Sequence, residues 1–209
     1  MFNEKILTKC NELASSADRI IPPARKKILD DIALSLHSEI KERNEVAVVY
    51  LCTHNSRRSH FAQVWGHIGS VMYNFPEVVA YSGGTVATAC HPNTISALKQ
   101  IGFEVKCDNP EADNPLYRVY YNEEDYVECY SKANTDDSLP QSDFIAIMTC
   151  SDSDDNCPLV PGAKIRYSTT FNDPSEFDDS EDVVEHYVER SLQIAIEAIY
   201  IFRKMFLMA

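Results

Sequence analysis

The sequence predicts an α/β fold: a central, mostly parallel four-stranded sheet flanked by helices, with an N-terminal helical extension and a β-hairpin insertion. Three observations predict it. Short apolar runs of strand length recur at 46–51, 78–82 and 143–150. The first is continuous rather than alternating, as a strand buried on both faces reads. Segments with apolar residues at helical spacing follow these runs, at 58–70, 92–101 and 181–205, and a chain that alternates the two builds a parallel sheet. Its 209 residues suit one domain with additions. We divide it into an extension at 1–44 and a domain at 45–209, which carries an insertion at about 106–140.

Taken in order, residues 3–17 and 24–42 read as two helices. In the second, Ile28, Ile32, Leu36 and Ile40 form a stripe, and Pro22 and Pro23 mark its start. The extension is read as packing on the domain, with a dimer surface as the alternative. Val46 to Leu51 is the first core strand and stops at Cys52. The helix after it turns Phe61, Val64, Trp65 and Ile68 inward, leaving His60 and His67 as surface residues. No Cys or carboxylate accompanies them at ligand spacing, so no metal site is assigned. Val78 to Ser82 is a second strand, ending in Gly83-Gly84, and Pro92 opens and Gly102 closes the next helix. LYRVYY and DYVECYSKA, joined by Asn-Glu-Glu, fit a hairpin. It either covers the mouth of a site or decorates an edge. Residues 143–150 and 163–167 complete the sheet, and an amphipathic helix from about Glu181 to Met205 ends the reading.

Composition narrows the function. A net charge of −13 argues against a nucleic-acid partner, whose binding needs clustered Lys and Arg. No stretch is long and apolar enough to span a membrane, and MFNEKILTKCNELASS lacks the pattern of a signal peptide. The seven cysteines, at 10, 52, 90, 107, 129, 150 and 157, are odd in number and irregularly spaced. They point to thiol chemistry in a reducing, cytoplasmic setting. Cys90, Cys107 and Cys129 are read as ordinary thiols.

The chemistry concentrates in CTHNSRRS, residues 52–59, between the first strand and its helix. A polar loop there turns backbone N–H groups inward and, with the helix N-terminus, makes a nest for a tetrahedral oxyanion. The nest comprises Thr53, His54, Asn55, Ser56, Arg57, Arg58 and Ser59, and Arg58 can grip two oxygens. Cys52 lies at its floor as a nucleophile, in a field that favours a thiolate, with Ser59 placed to hydrogen-bond the sulfur. A second constellation, CSDSDDNCP at 150–158, holds Cys150 and Cys157 in an acidic run poor in core residues. Two thiols in a segment that refolds at low cost can act as resolving groups. Asp173-Pro174 follows, as a turn or as the site of a general acid.

CTHNSRRS resembles the phosphate-binding loop of thioredoxin-coupled arsenate reductases and low-molecular-weight protein tyrosine phosphatases, usually Cys-x-Gly-Asn-x-x-Arg-Ser. SGG at 82–84, the Cys150/Cys157 pair and Asp173-Pro174 strengthen the likeness, which covers about 45–105 and 143–205. It implies the low-molecular-weight phosphatase fold, Asp173 as general acid and Asn55 as the brace of the loop. It also implies a relay in which Cys150 resolves Cys52, Cys157 resolves Cys150, and thioredoxin reduces the last disulfide. No cofactor is implied. Three departures matter. His54 replaces the Gly that lets backbone approach an anion closely. Gln63 stands where some arsenate reductases carry a Glu that helps bind potassium, so no potassium is expected. Ser175 and Glu176 follow Asp-Pro where phosphatases place two tyrosines. The expected function is arsenate reduction. Hydrolysis of phosphate monoesters by Cys52, Arg58 and Asp173 is the alternative, and a non-catalytic regulator that binds an anion or a phosphoprotein is a third reading.

Overall fold

The computed structural model describes residues 2–156 and 159–209. In chain order come α1 (Glu4–Ile20), α2 (Pro23–Arg43), β1 (Val46–Cys52), α3 (Arg58–Met72), β2 (Val78–Gly84) and α4 (Pro92–Ile101). Three short strands follow: β3 (Glu104–Cys107), β4 (Tyr117–Tyr120) and β5 (Tyr126–Cys129). Then come β6 (Phe144–Met148), α5 (Ser151–Asn156), β7 (Ala163–Ser168), a 3₁₀ turn at Pro174–Phe177, and α6 (Val183–Met208).

The main sheet is wholly parallel, in the order β2-β1-β6-β7. The chain leaves β1 for β2 on one side and later returns to add β6 on the other, so the order reverses between β1 and β6. In open α/β sheets, ligands bind in the crevice at the strand carboxyl ends beside such a switch point. Cys52 ends β1, and the register pairs Leu51 with Met148, so Cys150 emerges beside it.

Val46, Val48, Tyr50, Ile145 and Ile147 on one sheet face join the main core with the helices. The other face, with Val49, Leu51, Ala146 and Met148, packs into a small separate cluster around Phe144 and Val160. α1 and α2 lie against α6, so the extension extends the main core. The α2 stripe is rotated from its expected position. Leu29, Ile32, Ala33 and Leu36 are buried, while Ile28 and Ile40 are half-buried at its edge. A strict four-residue repeat drifts around a helix of 3.6 residues per turn, so only its middle faces α6.

Two further expectations are corrected. His60 is fully buried because α3 is packed by the sheet, by α6 and by the insertion, so nearly every face of it is interior. The expected hairpin is present as β4 and β5, and what is corrected is its extent: β3 pairs with β4 as a third antiparallel strand. Among the described residues no helix is long and apolar enough to cross a membrane.

Candidate active site

The loop from Cys52 to Ser59 is braced from three directions. Asn55 adopts a left-handed φ of 44° and is fully buried. Its side chain donates to Ser59 Oγ at 2.8 Å and accepts from the Lys132 N–H at 2.8 Å. Ser59 Oγ lies 3.0 Å from Cys52 Sγ. Because Asn55 already donates to that oxygen, the serine hydroxyl hydrogen is left to point at the sulfur. Ser56 Oγ donates to Ala89 O at 2.7 Å, and Ser56 O accepts from His91 N at 3.0 Å. Gly84 meets the loop edge-on: a Cβ there would lie 2.6 Å from Asn55 N and 2.8 Å from Thr53 O, so only glycine allows the approach.

These braces answer the His54 departure. The left-handed residue of the loop is Asn55, and His54 does not need the freedom of glycine. The His54 carbonyl accepts from Thr88 Oγ1 at 3.0 Å and Ser131 Oγ at 2.9 Å, while its side chain is exposed. Ser131 and Lys132 belong to the segment leaving the insertion, which therefore holds the loop in shape. The sequence carries no signal for this role. Among the described residues, the N–H groups of His54, Asn55, Ser56 and Arg57 have no acceptor in the chain, as an anion nest requires.

The two arginines face different ways. Arg58 is 6 % exposed. Its Nη1 donates to Phe171 O at 2.8 Å, its Nη2 is bonded to Asp173 Oδ2, and its buried Nε has no partner among the described residues. Arg57, by contrast, gives its guanidinium chiefly to Tyr187 and Asp178, with its Nε 4.0 Å from Asp173 Oδ1. Its Nε donates to Tyr187 OH at 2.8 Å and its Nη2 to Asp178 Oδ2 at 3.1 Å. Tyr187 OH donates to Asp178 Oδ1 at 2.6 Å. Burial alone pushes the Asp178 carboxyl up, but Tyr187, Arg57 and Asn93 outweigh it and hold it below the usual carboxylate range. Burial, aided by Arg57, lowers His91, so its 3.8 Å approach to Asp178 is that of a neutral ring at pH 7.

Cys52, Thr53, His54, Ser56, Arg57, Arg58 and Asp173 line a narrow cleft. It opens on a second depression formed by Ser151, Asp152, Phe171, Asn172, Ser175 and Glu176 beside Arg58 and Asp173. The Asp173 carboxylate therefore faces the loop from Cys52 to Ser59, while Asp178 is bonded to Arg57.

Cys150 is fully buried, with its Sγ 3.5 Å from Thr53 Oγ1. Past it the chain forms the six-residue helix α5, within the acidic run poor in core residues. Ser, Asp and Asn are poor helix-interior residues, and one turn is too short to stand alone. Tertiary bonds hold it. Asp154 Oδ1 is 2.5 Å from Arg166 Nη2, and its Oδ2 accepts from Ser168 Oγ at 2.6 Å. Cys157 lies outside the described residues. Three thiols not assigned to chemistry are buried: burial pushes Cys10 and Cys129 up to about 12 and Cys90 well above its ordinary value. His60 is held neutral at about 3 by burial. Among the described residues no cluster of His, Cys, Asp or Glu is arranged to hold a metal.

No protein-family model matches the chain. An arsenate reductase of Staphylococcus haemolyticus is 28% identical over 149 residues, covering 68% of this chain and 92% of its own. An arsenate reductase of Halalkalibacterium halodurans is 26% identical over 139 residues, covering 66% and 81%. Among solved structures, that of Primo-1 superposes at a TM-score of 0.50 and 14% identity, covering 76% of this chain and 97% of the other, which supports the fold.

Proposed function

We propose, on the premise that this chain belongs to the superfamily joining arsenate reductases to low-molecular-weight protein tyrosine phosphatases, that it is an enzyme reducing arsenate through a thiol relay. One observation carries the choice: a second thiol, Cys150, stands at the neighbouring strand end against the loop of the first, 3.5 Å from Thr53 Oγ1. A hydrolase has no use for it. The polar rim, with Ser175 and Glu176 after Asp-Pro, suits a small inorganic oxyanion better than an aromatic ester.

Arsenate binds to the loop N–H groups and the Arg58 guanidinium. The Cys52 thiolate attacks arsenic, and one oxygen leaves as water with a proton from Asp173. The Cys150 thiolate then attacks Cys52 Sγ. The Cys52–Cys150 bond forms, the sulfur–arsenic bond breaks, and its electron pair leaves with arsenic as arsenite. Two thiols are oxidised and As(V) becomes As(III). Cys157 next attacks Cys150 and returns Cys52 as thiolate. Thioredoxin reduces the Cys150–Cys157 disulfide.

The test is arsenate-dependent NADPH oxidation with thioredoxin and thioredoxin reductase. Cys52→Ser and Cys150→Ser should abolish it. Cys157→Ser should complete one turnover and stop, and sustained turnover by that variant would sink the relay. Cys52, Arg58 and Asp173 form a set complete for hydrolysis without Cys150, so phosphate monoester hydrolysis stands as the second reading. p-Nitrophenyl phosphate turnover that survives Cys150→Ser, with no arsenate-dependent oxidation, would establish it.

A further inference from the structure

Arg58 has two partners to serve in turn. Before reaction it holds the Asp173 carboxylate and the Phe171 carbonyl. An oxyanion in the nest competes for the same guanidinium, which lines the cleft together with the Cys52 loop. Asp173 therefore loses its closer ion pair at the step in which it must deliver a proton, and keeps only the longer approach of Arg57 Nε to its Oδ1, at 4.0 Å. Something else must keep it within reach of the leaving oxygen.

Among the described residues, backbone hydrogen bonds pin the chain around Asp173 to the sheet at its start, through Thr169 N to Met148 O at 2.9 Å and Phe171 N to Thr149 O at 3.1 Å. The bonds of the next residues are local: Ser175 N to Asp173 Oδ1 at 3.0 Å and Asp178 N to Ser175 O at 3.1 Å. The next tie to the body of the protein is at Asp178, gripped by Arg57, Tyr187 and Asn93, with Phe177 stacked on His186 beside it. Arg57 and Arg58 are adjacent on the rigid N-terminus of α3. Arg58 holds the acid, while Arg57 holds the far end of the acid loop at 3.1 Å and approaches the acid more loosely, at 4.0 Å.

We propose that Asp178 is a positioning residue for Asp173, and that the Arg57–Asp178–Tyr187 anchor holds the loop while Arg58 changes partner from the carboxylate to the oxyanion. This rests on the functional reading above. It also gives Arg57 a task other than binding substrate. The anchor acts through the general acid, so its loss slows the chemical step and leaves oxyanion affinity in place.

The test is single-turnover consumption of thiols by arsenate without reductant, at two thiols per arsenate, followed against arsenate concentration. Asp173→Asn should slow the step about 100-fold and Asp178→Asn about 10-fold. Half-saturation for arsenate should stay within about threefold in Asp178→Asn. The double variant should be no slower than Asp173→Asn alone, because a positioner has nothing to act on once the acid is gone. A double variant slower by the full Asp178 factor, or an Asp178→Asn rate within twofold of the parent, overturns the proposal. If Asp178→Asn strands the Arg57 charge and fails to fold, Arg57→Gln with Asp178→Asn removes both charges while keeping hydrogen-bonding groups. It should show the same kinetic signature. Parent protein that consumes no thiol with arsenate fails the functional reading instead, and the same variants are then compared on phenyl phosphate hydrolysis.

Discussion

Cys52 ends β1 and Cys150 lies two residues past the end of the neighbouring parallel strand β6, and each sits in a connection from strand to helix, yet the two connections are built oppositely. The Cys52 turn is braced by Asn55, Ser56, Gly84, Ser131 and Lys132, and its helix is a long one packed into the core. The Cys150 turn leads to one short helix of poor formers, clasped by Asp154 to Arg166 and Ser168. The contrast teaches a division of labour. A group that must present N–H donors to an anion needs fixed geometry. In the relay proposed above, a thiol that travels between two partners needs a segment whose opening costs little.

The largest effect should come from Asn55→Ala. It strips the Lys132 N–H of its acceptor, frees Ser59 and forces alanine into a left-handed backbone. The unmade buried bond costs about 1–3 kcal/mol and the backbone about 1–2 kcal/mol more. Denaturant unfolding should show the loss, and phosphate inhibition should weaken with it. A variant that keeps both would break the comparison.

Gly84→Ala should come next. The added methyl meets backbone atoms of the loop and cannot be relieved by a side-chain rotation. A cost of about 1–3 kcal/mol is expected, together with weaker oxyanion binding by titration calorimetry. Unchanged binding would mean that the loop adapts and is not fixed.

Asp154→Asn should have the smallest effect on stability, less than about 1 kcal/mol, because the pair is partly exposed and Asn keeps a hydrogen bond. Its effect should be local: faster amide exchange across α5 and faster alkylation of Cys150, with β1 unchanged. Equal protection in parent and variant would show that something other than this clasp holds α5.

The elements whose signal is local were legible. The β1 apolar run, the α4 boundaries at Pro92 and Gly102, and the loop from Cys52 to Ser59 all lie within a few residues of what defines them. The sequence reading failed where neighbours decide. His60 reads as a surface residue because nothing adjacent says that α3 is enclosed. β3 was missed because its exposed, charged residues are a strand only by pairing with β4. The acidic stretch after Cys150 becomes a helix through Arg166 and Ser168, which arrive from β7.

By itself the sequence determined the candidate chemistry: a cysteine, a polar loop and an arginine joined in one strand–loop–helix, where covalent continuity alone brings nucleophile and anion donors together. Only the tertiary structure decided what each group leans on. Arg57 meets Asp178 across 121 residues, Asn55 meets Lys132 across 77, and Thr53 meets Cys150 across 97. Such partners are set by the register of β6 on β1 and by the packing of α6 on α3. These depend on the burial of the whole core, and no short stretch of the sequence contains that information.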